Sequence, residues 1–150
     1  MNIYLAARYS RRVELCAYKV ELEAMGHVVT SRWLNGSHQI DHDGKPIGDH
    51  GEKLFEEGDG ESADAMRRRF VTEDVADVRR AHIVIAFTEK PRSGHSRGGR
   101  HVELGLAIAW DKAIFVVGPL ENLFCYLPQI TQRLDWESVK YLLQHHYVGC

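Results

Sequence analysis

The run Glu73-Asp74-Val75-Ala76-Asp77-Val78-Arg79-Arg80-Ala81-His82-Ile83-Val84-Ile85-Ala86-Phe87 changes its period in the middle. Upstream of Ala81 the apolar residues recur at helical spacing over 62–80, through Ala63, Met66, Phe70, Val71 and Val78. From His82 to Phe87 the chain is an apolar run of strand length. A helix that feeds such a strand is the repeating unit of a parallel sheet covered on both faces.

The same alternation continues in both directions. Toward the N-terminus, 3–6 reads as a short buried strand. Residues 10–25 read as a helix with Val13, Cys16, Ala17, Val20 and Ala24 as its apolar stripe and Gly26 as its stop. Residues 27–34, with Val28, Val29 and Thr30, read as a strand. Toward the C-terminus, 90–99 is a loop rich in Gly, Ser and Arg, 100–110 a helix and 113–117 a strand broken by Gly118-Pro119. A loop at 123–128, a weak strand at 129–134 and a helix at 136–144 complete the chain. Residues 35–60 are polar, glycine-rich and without a period, which predicts a long excursion or lid. The expectation is one α/β domain over residues 1–150 with a five-stranded parallel sheet.

A length of 150 residues suits one domain with a proper core. Lysine and arginine number 19 against 21 acids, a net charge of −2, so the charge calls for no nucleic-acid or membrane partner. Cys16, Cys125 and Cys150 are odd in number and far apart, which predicts reduced thiols and a cytoplasmic protein. The start, Asn2-Ile3-Tyr4-Leu5-Ala6, lacks the pattern of a signal peptide, and no apolar run is long enough to span a membrane.

Parallel sheets bind ligands beyond the carboxyl ends of their strands. That rule selects the loops at 7–10, from Trp33, at 88–99 and from Gly118. Behind the turn Gly98-Gly99, Glu103 falls in the predicted first turn of a helix, on one face with Leu106, Ala107 and Trp110. Burial would raise its pKa and the helix end would lower it. A poorly solvated carboxylate there is a nucleophile, or else a cap that only satisfies amides. Asp74 also lies on an apolar stripe, four residues from Phe70 and from Val78, whereas Asp77 is expected on the wet face. Asp74 is either a buried acid paired with an arginine among Arg67 to Arg69, or the second of two catalytic carboxylates, the usual device for cleaving a glycosidic bond.

Ala7, Arg8, Tyr9 and Ser10 open a helix after the first strand and could hold a phosphate, as could a second contact at 93–100 with Ser96, Gly98 and Gly99. A capped helix start with solvated arginines fits the first of these equally well. Tyr4 either reaches the site or fills the core. Trp33, at the end of the second predicted strand, suits stacking on a planar base or plain core packing. His38, Asp41, His42, Asp43, Asp49 and His50 have metal-like composition but no standard spacing, so no metal site is read here.

With these residues in view, the chain resembles the nucleoside 2-deoxyribosyltransferase family and its nucleotide N-glycosidase relatives. Ile3-Tyr4-Leu5-Ala6-Ala7 is similar to the family's first strand and turn. Residues Glu73 to Ala86 resemble its acid-bearing helix and central strand. Arg97-Gly98-Gly99-Arg100-His101-Val102-Glu103-Leu104-Gly105 resembles its glycine-rich loop and nucleophile. The resemblance covers nearly all of the chain except 35–60. It implies a flavodoxin-like (Rossmann-like) three-layer sandwich, no cofactor, and a nucleoside or nucleotide as small-molecule substrate. It further implies a retaining double displacement with Glu103 as nucleophile, Asp74 assisting the departing base and Tyr4 orienting Glu103. A homo-oligomer, dimer or higher, comes with it, and Val102, Leu104, Leu106, Ile108 and Trp110 leave the Glu103 helix little polar face.

His82 departs from a second aspartate in many relatives, and Val102 from an aromatic. The 90–99 loop is longer and more basic than in simple transferases, and the arginines around Arg8 and Arg97 point to a 5′-phosphorylated substrate. Two rival readings use the same residues. One is a nucleotide sensor without chemistry, which would gain little from an acid near the phosphate. The other is a phosphoribohydrolase of the lysine-decarboxylase-like group, which would carry a threonine before the acid where this chain has Val102.

Overall fold

The computed structural model describes residues 1–36, 63–90 and 98–146. Five strands form one sheet: β1 (Asn2–Ala6), β2 (Val28–Val29), β3 (Ile83–Phe87), β4 (Ala113–Val117) and β5 (Ile130–Arg133). Their order is β2-β1-β3-β4-β5 and every pairing is parallel. The helices are α1 (Arg12–Ala24), α2 (Ala63–Arg80), α3 (Gly99–Ala109) and α4 (Trp136–His146). This is the parallel five-stranded α/β sheet expected from the alternating pattern, in the flavodoxin-like arrangement that the resemblance implies.

The central strands are apolar because both their faces are covered, and all of β3 is buried. Tyr4 pairs with Val84 across β1 and β3, and α2 and α3 pack on the face to which Tyr4 points. On the opposite face the Tyr18 ring of α1 stacks on Phe87 at 5.5 Å and on Trp136 of α4 at 4.4 Å. Glu21 of α1 also binds the Trp136 indole and Lys140 of α4, tying the two helices together. The chain reverses direction across the sheet between β1 and β3. Their carboxyl ends therefore flank the crevice in which such sheets hold ligands.

Helices and strands fall where the periodicity puts them, with two differences. The second strand was expected over 27–34 but is only Val28–Val29, and Trp33 lies in a 3-10 turn, Arg32–Asn35. The reason lies in the hydroxyls. Ser31 Oγ accepts from the Leu5 amide at 2.7 Å and donates to the Leu5 carbonyl at 3.2 Å, doing for β1 what a strand backbone would do. Thr30 Oγ1 similarly donates to the Ile3 carbonyl.

The second difference is the phase of α1. Val13 and Val20 are 49% and 66% exposed, while Leu15 and Leu22 are fully buried. The helix carries two apolar stripes, and the one with the larger side chains, Leu15, Tyr18 and Leu22, takes the core because it removes more area from water. Val71 of α2 faces outward for a similar reason, beside the bulkier Phe70.

This phase assignment predicts a contrast between two substitutions in one helix. Leu22→Ala should lower unfolding stability by about 2–5 kcal/mol. Val20→Ala should change it by no more than about 0.5 kcal/mol. Urea denaturation of both variants checks it, and equal losses would mean that the stripe is misassigned.

Candidate active site

On the sheet face covered by α2 and α3, the Tyr4 hydroxyl donates to Glu103 Oε1 at 2.6 Å. Tyr4 comes from the buried core of β1 and Glu103 from α3. The Glu103 carboxyl group is enclosed by protein, although the residue as a whole keeps some exposure. Desolvation pushes its pKa up to about 8. The Tyr4 hydrogen bond and the Arg100 charge oppose that rise, and the Asp74 charge adds to it. Burial, reinforced by Glu103 and Asp74, also holds the Tyr4 hydroxyl well above its ordinary range. The phenol therefore remains a donor at any physiological pH.

Glu103 was expected in the first turn of its helix. The left-handed Gly98 (φ 79°) is the N-cap, which puts Glu103 in the second turn. The helix end therefore contributes little and burial decides its pKa. Gly98 does what the double glycine promised: its positive φ lets the backbone turn straight into α3.

Asp74 is the second acid. It is partly buried, and its Oδ1 is enclosed with no hydrogen-bond partner among the described residues. Burial raises its pKa to about 7, Asp77 and Glu73 add to the rise, and Arg32 lowers it. Three of the residues singled out by sequence, Tyr4, Glu103 and Asp74, thus form one electrostatically coupled group. Asp77, expected on the wet face, is fully buried instead. It lies three residues after Asp74, so it shares the inward face, and its charge is met by Arg32 and Arg80 rather than by water. The arginine pairing considered for Asp74 is thus found on its neighbour.

The remaining candidates separate. Ala7, Arg8, Tyr9 and Ser10 follow β1 at the crevice, where Arg8 caps the 3-10 turn Tyr9–Arg11 and Ser10 is exposed. Tyr9 and Trp33 are buried against each other at 6.2 Å. Trp33, only 6% exposed, donates its indole N–H to the Leu5 carbonyl at 2.9 Å, and the Tyr9 hydroxyl donates to the Gly36 carbonyl. These two rings therefore shape the wall beside the end of β1. Gly98 and Gly99 adjoin the site, whereas Ser96, Arg97 and the histidines and aspartates of 38–50 lie outside the described residues.

Sequence reasoning missed the Arg100–Glu121 pair. Arg100 Nη2 donates to both Glu121 oxygens at 2.7 and 2.5 Å, its Nη1 donates to the Phe87 carbonyl, and Glu121 Oε1 accepts from the Glu89 amide. The clamp joins the end of β3, the segment after β4 and the start of α3. An arginine one turn before Glu103 on a helix with little polar face was its only signal. Close by, Gly118 lets the two strand ends meet, since a Cβ there would lie 2.8 Å from Thr88 Oγ1.

The raised acids link to stability. Folded Glu103 keeps its proton up to about pH 8, whereas the unfolded side chain releases it near 4.5. The folded state thus binds more protons across that window, and stability falls as pH rises through it. Glu103→Gln removes this cost and keeps an acceptor for Tyr4. Its melting temperature should exceed that of wild type by a margin that widens from pH 5 to pH 8, at roughly 2–4 °C per kcal/mol. A margin independent of pH, read by thermal melts in matched buffers, would contradict a protonated buried Glu103.

No family model matches the chain, and no curated protein matches it either. Solved structures do. A 2-deoxyribosyltransferase from Bacillus psychrosaccharolyticus superposes with a TM-score of 0.65 at 19% identity, covering 93% of this chain and 90% of that one. A CMP N-glycosidase, BcmB, from Clostridium botulinum superposes with a TM-score of 0.54 at 17% identity, covering 96% and 97%. The chain therefore has the flavodoxin-like fold of the nucleoside 2-deoxyribosyltransferases, over nearly its whole length and that of both neighbours.

Proposed function

We propose that this protein is an enzyme that cleaves the N-glycosidic bond of a nucleoside or nucleoside 5′-monophosphate with retention. Glu103 acts as nucleophile, and the sugar passes to water or to a second base. The observation that carries the reading is the 2.6 Å hydrogen bond from Tyr4 to the enclosed carboxyl of Glu103, with a second raised acid beside it. A passive nucleotide site gains nothing from two buried acids where the ligand's own negative charge must approach. Two solved neighbours, a 2-deoxyribosyltransferase and a CMP N-glycosidase, share the fold, which supports a nucleoside or nucleotide as substrate.

In the proposed first step the Glu103 carboxylate bonds to the anomeric carbon as the carbon–nitrogen bond breaks, and Asp74 delivers a proton to the departing base. Water or an incoming base then displaces Glu103 from the sugar and returns a proton to Asp74. Tyr4 holds the nucleophile's Oε1 throughout, leaving the other oxygen to attack. Arg8, Ser10 and the amides around Ala7 and Tyr9 receive the 5′ end. Gly98, Gly99 and Trp33 line the remainder. The exposed Val102 of α3, with exposed Leu123 and Phe124 beside the His101–Asn122 contact, supports assembly into a homo-oligomer through this face.

The test is chromatographic detection of free base after incubation with a panel of nucleosides and nucleoside monophosphates. Glu103→Ala should abolish release, and Asp74→Asn should slow it by about 10²–10⁴-fold. Equal release by wild type and Glu103→Ala would refute the nucleophile. The productive form holds its one proton on Asp74 with Glu103 ionised, the minor of the two one-proton arrangements of a pair that titrates near 7 and 8. Below that interval both are protonated and above it both are ionised. The kcat/KM profile of the wild type should therefore be a narrow bell between the two values.

A separate measurement addresses the phosphate. Raising ionic strength should increase KM for a monophosphate and leave KM for the corresponding nucleoside nearly unchanged, because only the former relies on the charge of the partly exposed Arg8. Parallel changes for both substrates would remove the 5′-phosphate from the proposal.

A further inference from the structure

Asp77 is fully buried and ionically paired, yet it touches none of the groups assigned to chemistry. Its Oδ2 accepts from the Arg32 amide at 2.9 Å, and Arg32 Nε donates to Oδ1 and Oδ2 at 2.9 and 3.1 Å. Arg80, one turn further along α2, donates to Oδ1 at 2.5 Å. Arg32 also reaches past Asp77, its Nη2 donating to the Glu73 carbonyl at 3.1 Å. Arg32 thus grips α2 on both sides of Asp74.

The other end of this grip is the strand that carries Tyr4. Thr30 Oγ1 donates to the Asp77 carbonyl at 3.1 Å and also to the Ile3 carbonyl. Ser31 Oγ bonds both the amide and the carbonyl of Leu5. Ile3 and Leu5 are the neighbours of Tyr4 in β1. Three consecutive residues, Thr30, Ser31 and Arg32, therefore tie the backbone flanking Tyr4 to the helix turn that carries Asp74. Stability alone does not account for this design, since a buried ion pair contributes about as much as an apolar pair of the same size.

We propose that Asp77, gripped by Arg32, is a positioning residue: it fixes Asp74 relative to the Tyr4–Glu103 pair and sets the charge that Asp74 faces. The inference rests on the glycosidic reading above and deepens it. The groups acting on Asp74 are Asp77 and Glu73 on its own helix, Arg32 from the 3-10 turn, Glu103 from α3 and Tyr4 from β1. Asp77 disfavours ionisation of Asp74, and Arg32 favours it. The two halves of one ion pair thus act on Asp74 with opposite sign.

That opposition gives a test that a mere brace would fail. In the full-length chain, Asp77→Asn removes the like charge and leaves Arg32 beside Asp74. The ascending limb of the pH profile, which lies near the Asp74 value of about 7, should move toward acid by about half a unit or more. Arg32→Gln removes the opposite charge, and the same limb should move toward alkali. Both variants should lose kcat by about 10–100-fold while KM changes less than about threefold, because the acid is displaced rather than the substrate contacts. Arg32 is 40% exposed on its side chain, so Arg32→Gln decides the matter if Asp77→Asn does not fold.

An isotope-edited NMR titration of the Asp74 carboxyl in both variants gives the same shifts without relying on turnover. Opposite displacements support the proposal. Displacements in the same direction, or limbs and titrations within about 0.2 unit of wild type, overturn it and leave Asp77 a brace. Should the wild-type chain release no base from any substrate, the functional reading falls, and the Asp74 titration still decides the role of Asp77.

Discussion

The hydrogen bond between Tyr4 and Glu103 joins two groups, neither of which could be buried alone. A phenol in the middle of a fully covered strand needs an acceptor, and a carboxyl group enclosed by apolar helix residues needs a donor. Each satisfies the other at 2.6 Å. The bond also dictates where α3 can lie, because Glu103 must meet a strand residue whose height is set by the β1–β3 register. The left-handed Gly98 starts α3 at that height, and the Arg100–Glu121 clamp holds its first turn against the ends of β3 and β4.

The two faces of the sheet divide the work. On one side Tyr18, Phe87 and Trp136 stack between α1 and α4, an aromatic layer with its polar atoms tied to Glu14 and Glu21. On the other side α2 and α3 bring in Asp74, Asp77, Arg100 and Glu103, charges whose burial costs free energy unless each is met. Asp77 and Arg100 are met by arginine and glutamate partners. Asp74 and Glu103 are met only in part, and both pKa values rise in consequence. Such uncompensated acids are characteristic of sites where protons move.

Much of this was legible in the linear chain because it depends on neighbours along the chain. The change of period at Ala81, the apolar run at 83–87 and the Gly98-Gly99 turn are local signals, and apart from the shortened second strand each element appears within a few residues of its expected place. Glu103 and Asp74 stood out because an acid on an apolar helical stripe is anomalous however the helix packs. The inward turn of Asp77 was available from the same helical geometry, three residues from Asp74, but an aspartate beside arginines also reads as solvated.

Alternation of helix and strand, the two acids on apolar stripes and the glycine turn before α3 were written in residue order, since helical and strand periods are properties of a few consecutive residues. The tertiary structure alone decided which of two stripes α1 buries, how short β2 becomes, and which partners meet Asp77 and Arg100. Those outcomes depend on residues far apart in sequence: Thr30 with Ile3 and Asp77, Arg32 with Asp77, Arg100 with Glu121. A side chain's charge and size are local, whereas the cost of burying it depends on what the fold brings to face it. The sequence could therefore name Glu103, and the fold decided that it would stand enclosed, held by Tyr4 and protonated to about pH 8.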